Sequence, residues 1–355
     1  METKTLFNNI PLSIESKINR KLHNLKNHPI EIIKNIIYKY LINIHNFDIF
    51  DNLNPFVSIQ DNFAKLLIPL NHPARSKSDT YYLNENTVLR THTSAHQNEL
   101  LEKGYLNFLV SGDVYRKDEI DSHHYPIFHQ MECVMVFEKG NIDPITKLKE
   151  ILSNLITHLF GDCQYRFSDD YFPFTNPSYE VEVMYNNKWL EILGAGIIEQ
   201  QILLNNNLNN HDGIAFGLGF DRLAMIFFDI PDIRYLWSEH DKFLSQFSSG
   251  TITKFKPFSI LPPIERDISF YIPKNWTNEN DFFELIRNIS GDFMEEVKIF
   301  DEYHNIKLDK HSKTYRMKYS NTDPNIKNPG DFNKIVNDIQ DKIRSNIITL
   351  ELELR

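Results

Sequence analysis

The chain has 355 residues, of which 41% are hydrophobic and 24% charged, a balance typical of globular proteins. Only two cysteines occur, Cys133 and Cys163, which excludes a disulfide framework and any zinc site built from four cysteines. No apolar run approaches the roughly 20 residues that span a bilayer, so we expect no membrane association. The net charge of −10 argues against a protein that holds nucleic acid by a bulk basic field alone.

In chain order, the first two thirds of the sequence alternate helices with strands joined by short polar turns. Residues 16–45 are predicted to be helical because Ile30, Ile33, Ile37 and Leu41 recur at spacings of three and four. The turns are too short for crossover helices, which favours an antiparallel sheet over a Rossmann domain. The other predicted elements are strands within 105–137, a helix over 143–160, strands over 178–187 and 188–197, a Gly-rich turn leading into a helix over 213–229, and a linker over 245–257.

Beyond the linker the predicted elements alternate as β-α-β-β-α-β, the ferredoxin-like order. They are a strand over 265–273, a helix over 279–290, strands near 293–302 and 312–320, a helix over 330–345 and a final strand over 347–354. This part is nearly neutral, with 16 Lys and Arg against 17 Asp and Glu from residue 251 onward. It contains a basic cluster that is either a solvated face or a strand that contacts phosphates: Lys307, Lys310, His311, Lys313, Arg316 and Lys318.

Residues 112–132 combine a strand end, a charged loop and a second strand. Arg116, at the strand end, can hold a phosphate with its planar guanidinium. In the next strand Phe128 offers a flat surface for a base, and Gln130 and Glu132 share its face because strands have a period of two. The alternative is a polar hairpin with an exposed arginine.

Residues 215–234 place two glycines before an apolar helix. Gly217 and Gly219 allow close approach of the backbone, and Arg222 follows at the start of the helix. Taken alone, this pattern is equally typical of a simple packing turn.

Two further stretches carry candidate binding residues. Phe172 and Phe174 flank a proline and would face one side of an extended chain, either as core residues or as the wall of an aromatic pocket. His92 and His96 are four residues apart, as in a helical zinc pair, but their neighbours favour a loop and supply no third ligand. Hydrogen bonding of a small ligand by His92 and Ser94 is the preferred interpretation, and a zinc hydrolase is the alternative.

Together these stretches resemble motifs 2 and 3 of class II aminoacyl-tRNA synthetases, and within that class the phenylalanyl-tRNA synthetases. The C-terminal unit is similar to that family's ferredoxin-fold anticodon-binding domain. One chain carrying both parts resembles the single-chain organellar form of the family. The matching blocks, in the family's order, are HPARSKSDTYYLN (72–84), LRTHTSAHQ (89–97), GDVYRKDEIDSHHYPIFHQME (112–132), FPFTNPSYE (172–180), WLEILGAG (189–196) and AFGLGFDRLAM (215–225).

The resemblance implies an α+β fold, with a class II antiparallel sheet flanked by helices and a ferredoxin-like anticodon-binding domain. It divides the chain into a helical extension (1–50), a catalytic domain (51–244), a linker (245–257) and the anticodon-binding domain (258–355). The implied reaction joins L-phenylalanine to ATP with Mg²⁺ and then transfers the phenylalanyl group to the 2′-hydroxyl of tRNA(Phe). We expect a monomer in the mitochondrial matrix, with the plastid as the alternative location and no targeting segment evident in the sequence.

The resemblance also assigns residues to the nucleotide site. Arg116 would hold the α-phosphate of ATP, and Arg222 would clamp the nucleotide from the other side. Phe128 would stack under adenine, and His124 would reach the outer phosphates.

Further residues receive roles by the same resemblance. The ammonium and carboxylate of the amino acid would be bound by His92, Ser94, Gln130 and Glu132. The aromatic ring would lie between Phe172 and Phe174, with Ala215 as the floor of the pocket. Magnesium would be held by Glu182 and Glu191. The residues expected to contact tRNA are Lys307, Lys310, Lys313, Arg316 and Lys318.

The chain departs from the family pattern in three places. Asp221 replaces the more usual glutamate before the motif 3 arginine, Ser78 stands where bacterial relatives have tryptophan, and the segment over 138–145 is short. A non-catalytic tRNA-binding relative remains an alternative, although it would lack one of the two arginines or Glu132. For the C-terminal domain the alternative is a dimerisation module.

Overall fold

The computed structural model describes residues 7–140, 142–257, 261–273, 276, 279–307 and 309–355. The expected start of the anticodon-binding domain at residue 258, the first six residues and one position of the short segment over 138–145 lie outside the described residues. The helices are α1 (Leu12–Glu15), α2 (Pro29–Ile44), α3 (Ile59–Asn62), α4 (Gln97–Glu102), α5 (Pro144–Phe160), α6 (Gln200–Asn205), α7 (Phe220–Phe228), α8 (Asp241–Leu244), α9 (Glu279–Ser290) and α10 (Pro329–Asn346).

In the part of the chain that the structure describes, the strands form three sheets. They are β1 (Asp48–Phe50), β2 (Phe56–Ser58), β3 (Tyr82–Asn84), β4 (Thr87–Leu89), β5 (Asn107–Tyr115), β6 (Ile127–Glu138), β7 (Tyr165–Phe172), β8 (Thr175–Tyr185), β9 (Lys188–Ile198), β10 (His211–Gly219), β11 (Ile264–Ile272), β12 (Met294–Asn305), β13 (Lys310–Tyr319) and β14 (Glu353–Leu354).

The largest sheet has the strand order β1-β5-β6-β10-β9-β8-β7. All its pairs are antiparallel, as predicted, except that β1 runs parallel to β5. Its hairpin between β8 and β9 turns at Asn186 and Asn187, both with positive φ, the conformation that a two-residue hairpin favours. Because β6 pairs with both β5 and β10, the strands of the two motifs lie side by side at the centre of the sheet.

Helices α2, α5 and α7 pack on the apolar core of this sheet. The start and end of α5 follow the sequence closely: Asp143 accepts a hydrogen bond from the backbone of Thr146, and Gly161 ends the helix with a φ of +71°. The helix predicted over 16–45 is shorter, because α2 begins only at Pro29. The apolar residues whose spacing predicted this helix, Ile30, Ile33, Ile37 and Leu41, are nonetheless buried in the core.

One prediction for this region is wrong. The Gly-rich segment over 213–219 is not a turn but most of strand β10, paired along its length with β6 and β9. The linker predicted over 245–257 stays a prediction, although two of its side chains, Phe247 and Phe255, are buried in the same core as α7. In both segments apolar side chains between the polar residues find partners that are distant in the sequence.

The C-terminal domain has the strand order β12-β13-β11-β14, the ferredoxin-like arrangement, with α9 and α10 packed against its core. This confirms the predicted β-α-β-β-α-β order. The final strand is shorter than predicted, because residues Ile347–Leu350 form a 3-10 turn and only Glu353 and Leu354 pair with β11.

The charged loop between β5 and β6 is held by the C-terminal domain. Ile120 is buried in the core of that domain, and its carbonyl accepts a hydrogen bond from the backbone of Val297 at 2.9 Å. Arg287 donates to the carbonyl oxygens of Asp118 at 2.8 Å and Glu119 at 2.9 Å.

None of the described helices combines the length and the apolar character that a membrane span needs.

Candidate active site

A cavity of about 710 Å³ opens where the central strands of the large sheet end. Most of the predicted site residues line it, although they come from five separate stretches of the chain. They are His92, Ser94, Arg116, His124, Phe128, Gln130, Glu132, Phe172, Phe174, Glu191, Ala215 and Arg222.

The first of the two predicted arginines leaves the end of β5 and reaches into the cavity. Nε of Arg116 donates to the carbonyl oxygen of Thr91 at 2.7 Å, which fixes the plane of the guanidinium. The guanidinium carbon lies 5.2 Å from the ring centroid of Phe128 on β6. Arg116 is exposed to the cavity, so its terminal nitrogens can meet an anion there.

Arg222 enters the same cavity from the first turn of α7. Its Nη1 donates to the carbonyl oxygen of Glu191 at 3.0 Å and lies 3.6 Å from the carboxylate of that residue. Arg116 and Arg222 therefore face one cavity from different elements, 106 positions apart in the sequence.

His124 lines the cavity from the loop that precedes β6. Its Nδ1 lies 2.7 Å from Oδ2 of Asp121, and this hydrogen bond raises the pKa of His124 against the opposing charge of Arg222. Asp121 also accepts hydrogen bonds from the backbone N–H groups of His123 and His124. The imidazole is thus biased toward the charged form that favours binding of an anion.

A buried carboxylate lies deeper in the cavity. Glu132 is 4% exposed, and burial raises its pKa to about 7, opposed by hydrogen bonds from the hydroxyls of Ser94 and Thr93. The Thr93 hydroxyl donates at 3.5 Å. Among the described residues no cation pairs with this carboxylate, and a buried carboxylate of this kind is suited to an ammonium group.

Aromatic side chains close the cavity on the side of β7 and β8. The rings of Phe172 and Phe174 are stacked, with centroids 5.9 Å apart and planes 14° apart. They meet across the turn between the two strands, and not along one extended segment as predicted. The ring centroid of His92 lies 6.2 Å from that of Phe174. Burial lowers the pKa of His92 to about 3 and the charge of Arg116 contributes to the shift, so the imidazole is neutral and can donate or accept a hydrogen bond.

Of the two glutamates that were expected to hold magnesium, only one lines the cavity. Glu191 lines the cavity, but the carboxylate of Glu182 binds Nε of Arg166 at 2.5 Å and the hydroxyl of Ser168 at 3.0 Å, and it does not line the cavity. Glu180, two residues earlier on β8, does. Burial raises the pKa of Glu180, and the negative charge of Glu191 adds to that shift.

Comparison with known proteins gives the family. The family model described as "tRNA synthetases class II core domain (F)" matches residues 11–247, and the "Ferredoxin-fold anticodon binding domain" matches residues 259–355. The chain is 46% identical to the chloroplastic/mitochondrial phenylalanine–tRNA ligase of Arabidopsis thaliana, over 98% of this chain and 83% of that protein. The chain belongs to the phenylalanine–tRNA ligase family.

Other members of the family align over similar lengths. The mitochondrial phenylalanine–tRNA ligase of Mus musculus is 41% identical over 88% of this chain and 78% of its own, and that of Saccharomyces cerevisiae is 35% identical over 98% and 92%. Among solved structures, a pyrrolysyl-tRNA synthetase from Desulfitobacterium hafniense superposes with a TM-score of 0.49 at 16% identity, covering 62% of this chain and 77% of that one. As a member of the phenylalanine–tRNA ligase family, the chain is an aminoacyl-tRNA synthetase with a tRNA substrate.

Sequence patterns alone missed several residues that shape the site in this family member. Thr91 acts through a carbonyl oxygen, and Asp121 through its contact with His124, so the residue type alone reveals neither role. Glu180 was detectable, since it shares the strand period with Glu182. Gly194 was not singled out, although a β-carbon there would stand 3.0 Å from Cζ of Phe172.

The histidine-metal alternative receives no support from the geometry. Nε2 of His96 lies 3.0 Å from Nη1 of Arg90 and its Nδ1 lies 3.3 Å from the carboxylate of Glu99, whereas His92 lines the cavity. Within the described part of the chain, no three His, Cys, Asp or Glu residues converge as a metal site would require.

The basic cluster of the C-terminal domain is largely neutralised by carboxylates. The cations and their partners are Lys310 with Glu353, Lys313 with Glu279 and Glu302, Arg316 with Asp267, and Lys318 with Glu295. Lys313 packs beside Trp276 and the start of α9. The guanidinium carbon of Arg316 instead lies 3.6 Å from the ring centroid of the exposed Phe300. The cluster therefore does not form one surface.

Proposed function

We propose that the protein activates L-phenylalanine with ATP and transfers it to tRNA(Phe). The observation that carries the proposal is the single cavity that joins two arginines, a buried carboxylate and a stacked aromatic pair. Arginines suit the phosphates, the carboxylate suits the ammonium, and the aromatic pair suits a benzyl side chain.

The reaction has two steps. In the first, an oxygen of the phenylalanine carboxylate attacks the α-phosphorus of ATP, the bond to the β-phosphate oxygen breaks, and pyrophosphate leaves. Arg116 and Arg222 neutralise the charge that develops on the phosphate oxygens, and Phe128 holds adenine by stacking. In the second step, the 2′-hydroxyl of the terminal ribose attacks the adenylate carbonyl, loses its proton and releases AMP.

Glu180 and Glu191 would hold Mg²⁺, which would neutralise phosphate charge when ATP is bound. Glu180 and Glu191 have the hard oxygen donors that Mg²⁺ prefers, and both line the cavity. Glu182, which the sequence suggested, is engaged by Arg166 and Ser168. We therefore assign the role of magnesium ligand to Glu180 and Glu191.

The amino acid is held by polar groups at one end and aromatic groups at the other. Glu132 receives the ammonium, with His92, Ser94 and Gln130 around it, and the stacked phenylalanines receive the ring. Ala215, on β10, forms the floor. Tyrosine is rejected because its hydroxyl would be buried without a partner, which costs about 1–3 kcal/mol and gives only limited discrimination.

The open face of the C-terminal sheet is the surface that we assign to tRNA. Arg316 and Lys318 alternate along β13 with the core residues Tyr315, Met317 and Tyr319, so they share the face that the helices do not cover. Lys307 is exposed after β12. Lys310 and Lys313 stay candidates for the same role, and all four of these cations would have to leave a carboxylate to meet a phosphate.

The names of the relatives that this chain resembles indicate a location. Those of Mus musculus and Saccharomyces cerevisiae are named mitochondrial, and that of Arabidopsis thaliana chloroplastic/mitochondrial. We propose the mitochondrial matrix, with the plastid as the alternative. A monomer suffices, since one chain supplies both the cavity and the anticodon-binding domain.

The proposal is tested by ATP–pyrophosphate exchange with each of the twenty amino acids. We expect exchange with phenylalanine and weak exchange with tyrosine. Arg116→Gln should abolish it, whereas Lys342→Gln, on the exposed side of α10, should leave it unchanged. Exchange driven by a different amino acid, or none with phenylalanine, would overturn the proposal.

A further inference from the structure

A buried arginine outside the cavity connects the two halves of the site. Arg90 follows β4 and is 1% exposed. Its Nε donates to the carbonyl oxygen of Asp113 at 2.7 Å, and its Nη2 donates to the carboxylate of the same residue at 2.8 Å. Its Nη1 lies 3.0 Å from Nε2 of His96. Burial lowers the pKa of His96 to about 4 and Arg90 adds to this shift, so that nitrogen accepts the hydrogen bond.

A glycine on β5 makes room for this guanidinium. A β-carbon built on Gly112 would stand 1.8 Å from Nη2 and 2.6 Å from Cζ of Arg90. The φ of Gly112 is not positive, so space and not backbone conformation calls for a glycine there. The guanidinium of Arg90 therefore packs directly against β5, the strand that Arg116 follows.

The residues that follow Arg90 hold substrates according to the proposed function. The carbonyl oxygen of Thr91 accepts from Nε of Arg116, and His92 and Ser94 line the amino-acid end of the cavity. On the other side, the carbonyl oxygen of Arg90 accepts from the backbone of Tyr115, the residue before Arg116. The Arg90 side chain, through Asp113 and His96, thus ties the strand that leads to Arg116 to the segment that binds the amino acid.

We propose that Arg90 is a positioning residue for adenylate formation. It sets the distance between Arg116 and the segment over 91–94, and so the alignment of the phenylalanine carboxylate with the α-phosphorus. In-line attack is sensitive to displacements of about 1 Å, which can cost on the order of 100-fold in rate. The inference rests on the proposed function, because it concerns the same reaction.

A purely structural role for Arg90 gives a different result from a positioning role. Loss of a buried ion pair destabilises a protein, so a structural role would reduce the number of working molecules. Each remaining molecule would keep its normal turnover. A positioning role instead leaves the number of active sites unchanged and lowers the turnover of each, and active-site titration separates the two.

The experiment measures pyrophosphate exchange and active-site titration on full-length variants. We expect Arg90→Lys, which keeps the charge but loses the fork, to lower kcat per titrated site about 10- to 100-fold. The KM values for ATP and phenylalanine should change by less than about threefold, because each ligand keeps its own contacts. Gly112→Ala should give the same result, since its β-carbon displaces the same guanidinium.

Controls keep the inference falsifiable if those variants fold poorly. His96→Asn removes one partner of Arg90 and should lower kcat per site by about two- to fivefold. In Gly213→Ala, in the same sheet, the three nearest atoms to the new β-carbon all belong to Ile198, with Cδ1 at 2.8 Å and Cβ and Cγ1 at 3.3 Å, so kcat per site should be unchanged. The double variant of Arg90→Lys and Gly112→Ala should lose no more than the worse single variant.

Two outcomes would overturn the inference. Arg90→Lys could keep normal kcat per titrated site, or the two losses could multiply in the double variant. Failure of the proposed function is recognised separately, because the unaltered protein would then show no exchange with phenylalanine.

Discussion

The ring of Phe172 lies against Gly194, so closely that a β-carbon on the glycine would stand 3.0 Å from Cζ of the phenylalanine and 3.1 Å from Cε2. The missing side chain of Gly194 leaves room for the tip of this ring, which stacks on Phe174 with the two planes 14° apart. The width of the proposed phenylalanine slot therefore depends on a missing side chain.

Gly194→Ala should push Phe172 toward the cavity and narrow the slot. We expect the KM for phenylalanine to rise about 10-fold in pyrophosphate exchange, with the KM for ATP unchanged, because the nucleotide contacts come from other strands. Gly213→Ala is the matched control. An unaltered KM for phenylalanine would mean that the ring can move aside without filling the slot.

Ala215→Gly should enlarge the floor of the same slot. Ala215 is only 6% exposed, so removal of its methyl group adds volume inside the cavity and not at its mouth. We expect exchange with para-chlorophenylalanine to rise at least about 10-fold relative to phenylalanine. Unchanged selectivity between the two amino acids would count against Ala215 as the floor.

The affinity for phenylalanine should increase with pH. Burial raises the pKa of Glu132 to about 7, and only the ionised form attracts an ammonium group. In the absence of ATP, phenylalanine should bind more tightly as the pH rises from about 5.5 to 7.5 and then level off. Glu132→Gln should bind weakly at every pH, and a parallel pH profile in that variant would contradict the assignment.

The same carboxyl affects stability in the opposite direction. Because its pKa is higher in the folded than in the unfolded protein, Glu132 stabilises the fold most below the unfolded pKa, near 4.5. This contribution is lost as the pH rises through about 7. Thermal unfolding between pH 5 and 8 should therefore show a smaller fall in Tm for Glu132→Gln than for the unaltered protein.

The choice between the two neighbouring glutamates of β8 is open to direct test. Glu180→Gln should raise the Mg²⁺ concentration for half-maximal exchange about 10-fold, since Glu180 lines the cavity. Glu182→Gln should change it by less than about twofold, because that carboxylate binds Arg166. The reverse order would restore Glu182 as the ligand.

Variants on the open face of the C-terminal sheet should separate tRNA binding from amino-acid activation. Replacement of Arg316 and Lys318 by glutamine should raise the KM for tRNA about 10-fold and weaken its salt dependence. Pyrophosphate exchange should persist. Deletion of the whole domain is a poorer test, because it would expose Ile120 and release the loop that Arg287 holds. Lys342→Gln, on α10, is the control for loss of a positive charge at another surface, and equal effects on charging would place the tRNA elsewhere.

Local chemistry in the sequence determined many elements of this protein. Helix α5 begins after Asp143 and ends before Gly161, and Asn186 and Asn187 form the turn of the hairpin between β8 and β9. Sequence could predict these features because capping and positive φ depend on the residues themselves. The period of two likewise placed Phe128, Gln130 and Glu132 on one face, and all three line the cavity.

Tertiary structure decided what depends on distant partners. The glycines before α7 belong to a strand because β6 and β9, far away in the sequence, pair with them. Glu180 and not Glu182 lines the cavity, since β8 and β9 shift register between Val181 and Glu182 and since Arg166 binds the second carboxylate. Spacing along one strand cannot report such a shift, because it arises from the fit of two strands. For the same reason the block LRTHTSAHQ does not by itself reveal the role of Arg90, because the contacts of its side chain are made with a glycine and an aspartate on another strand.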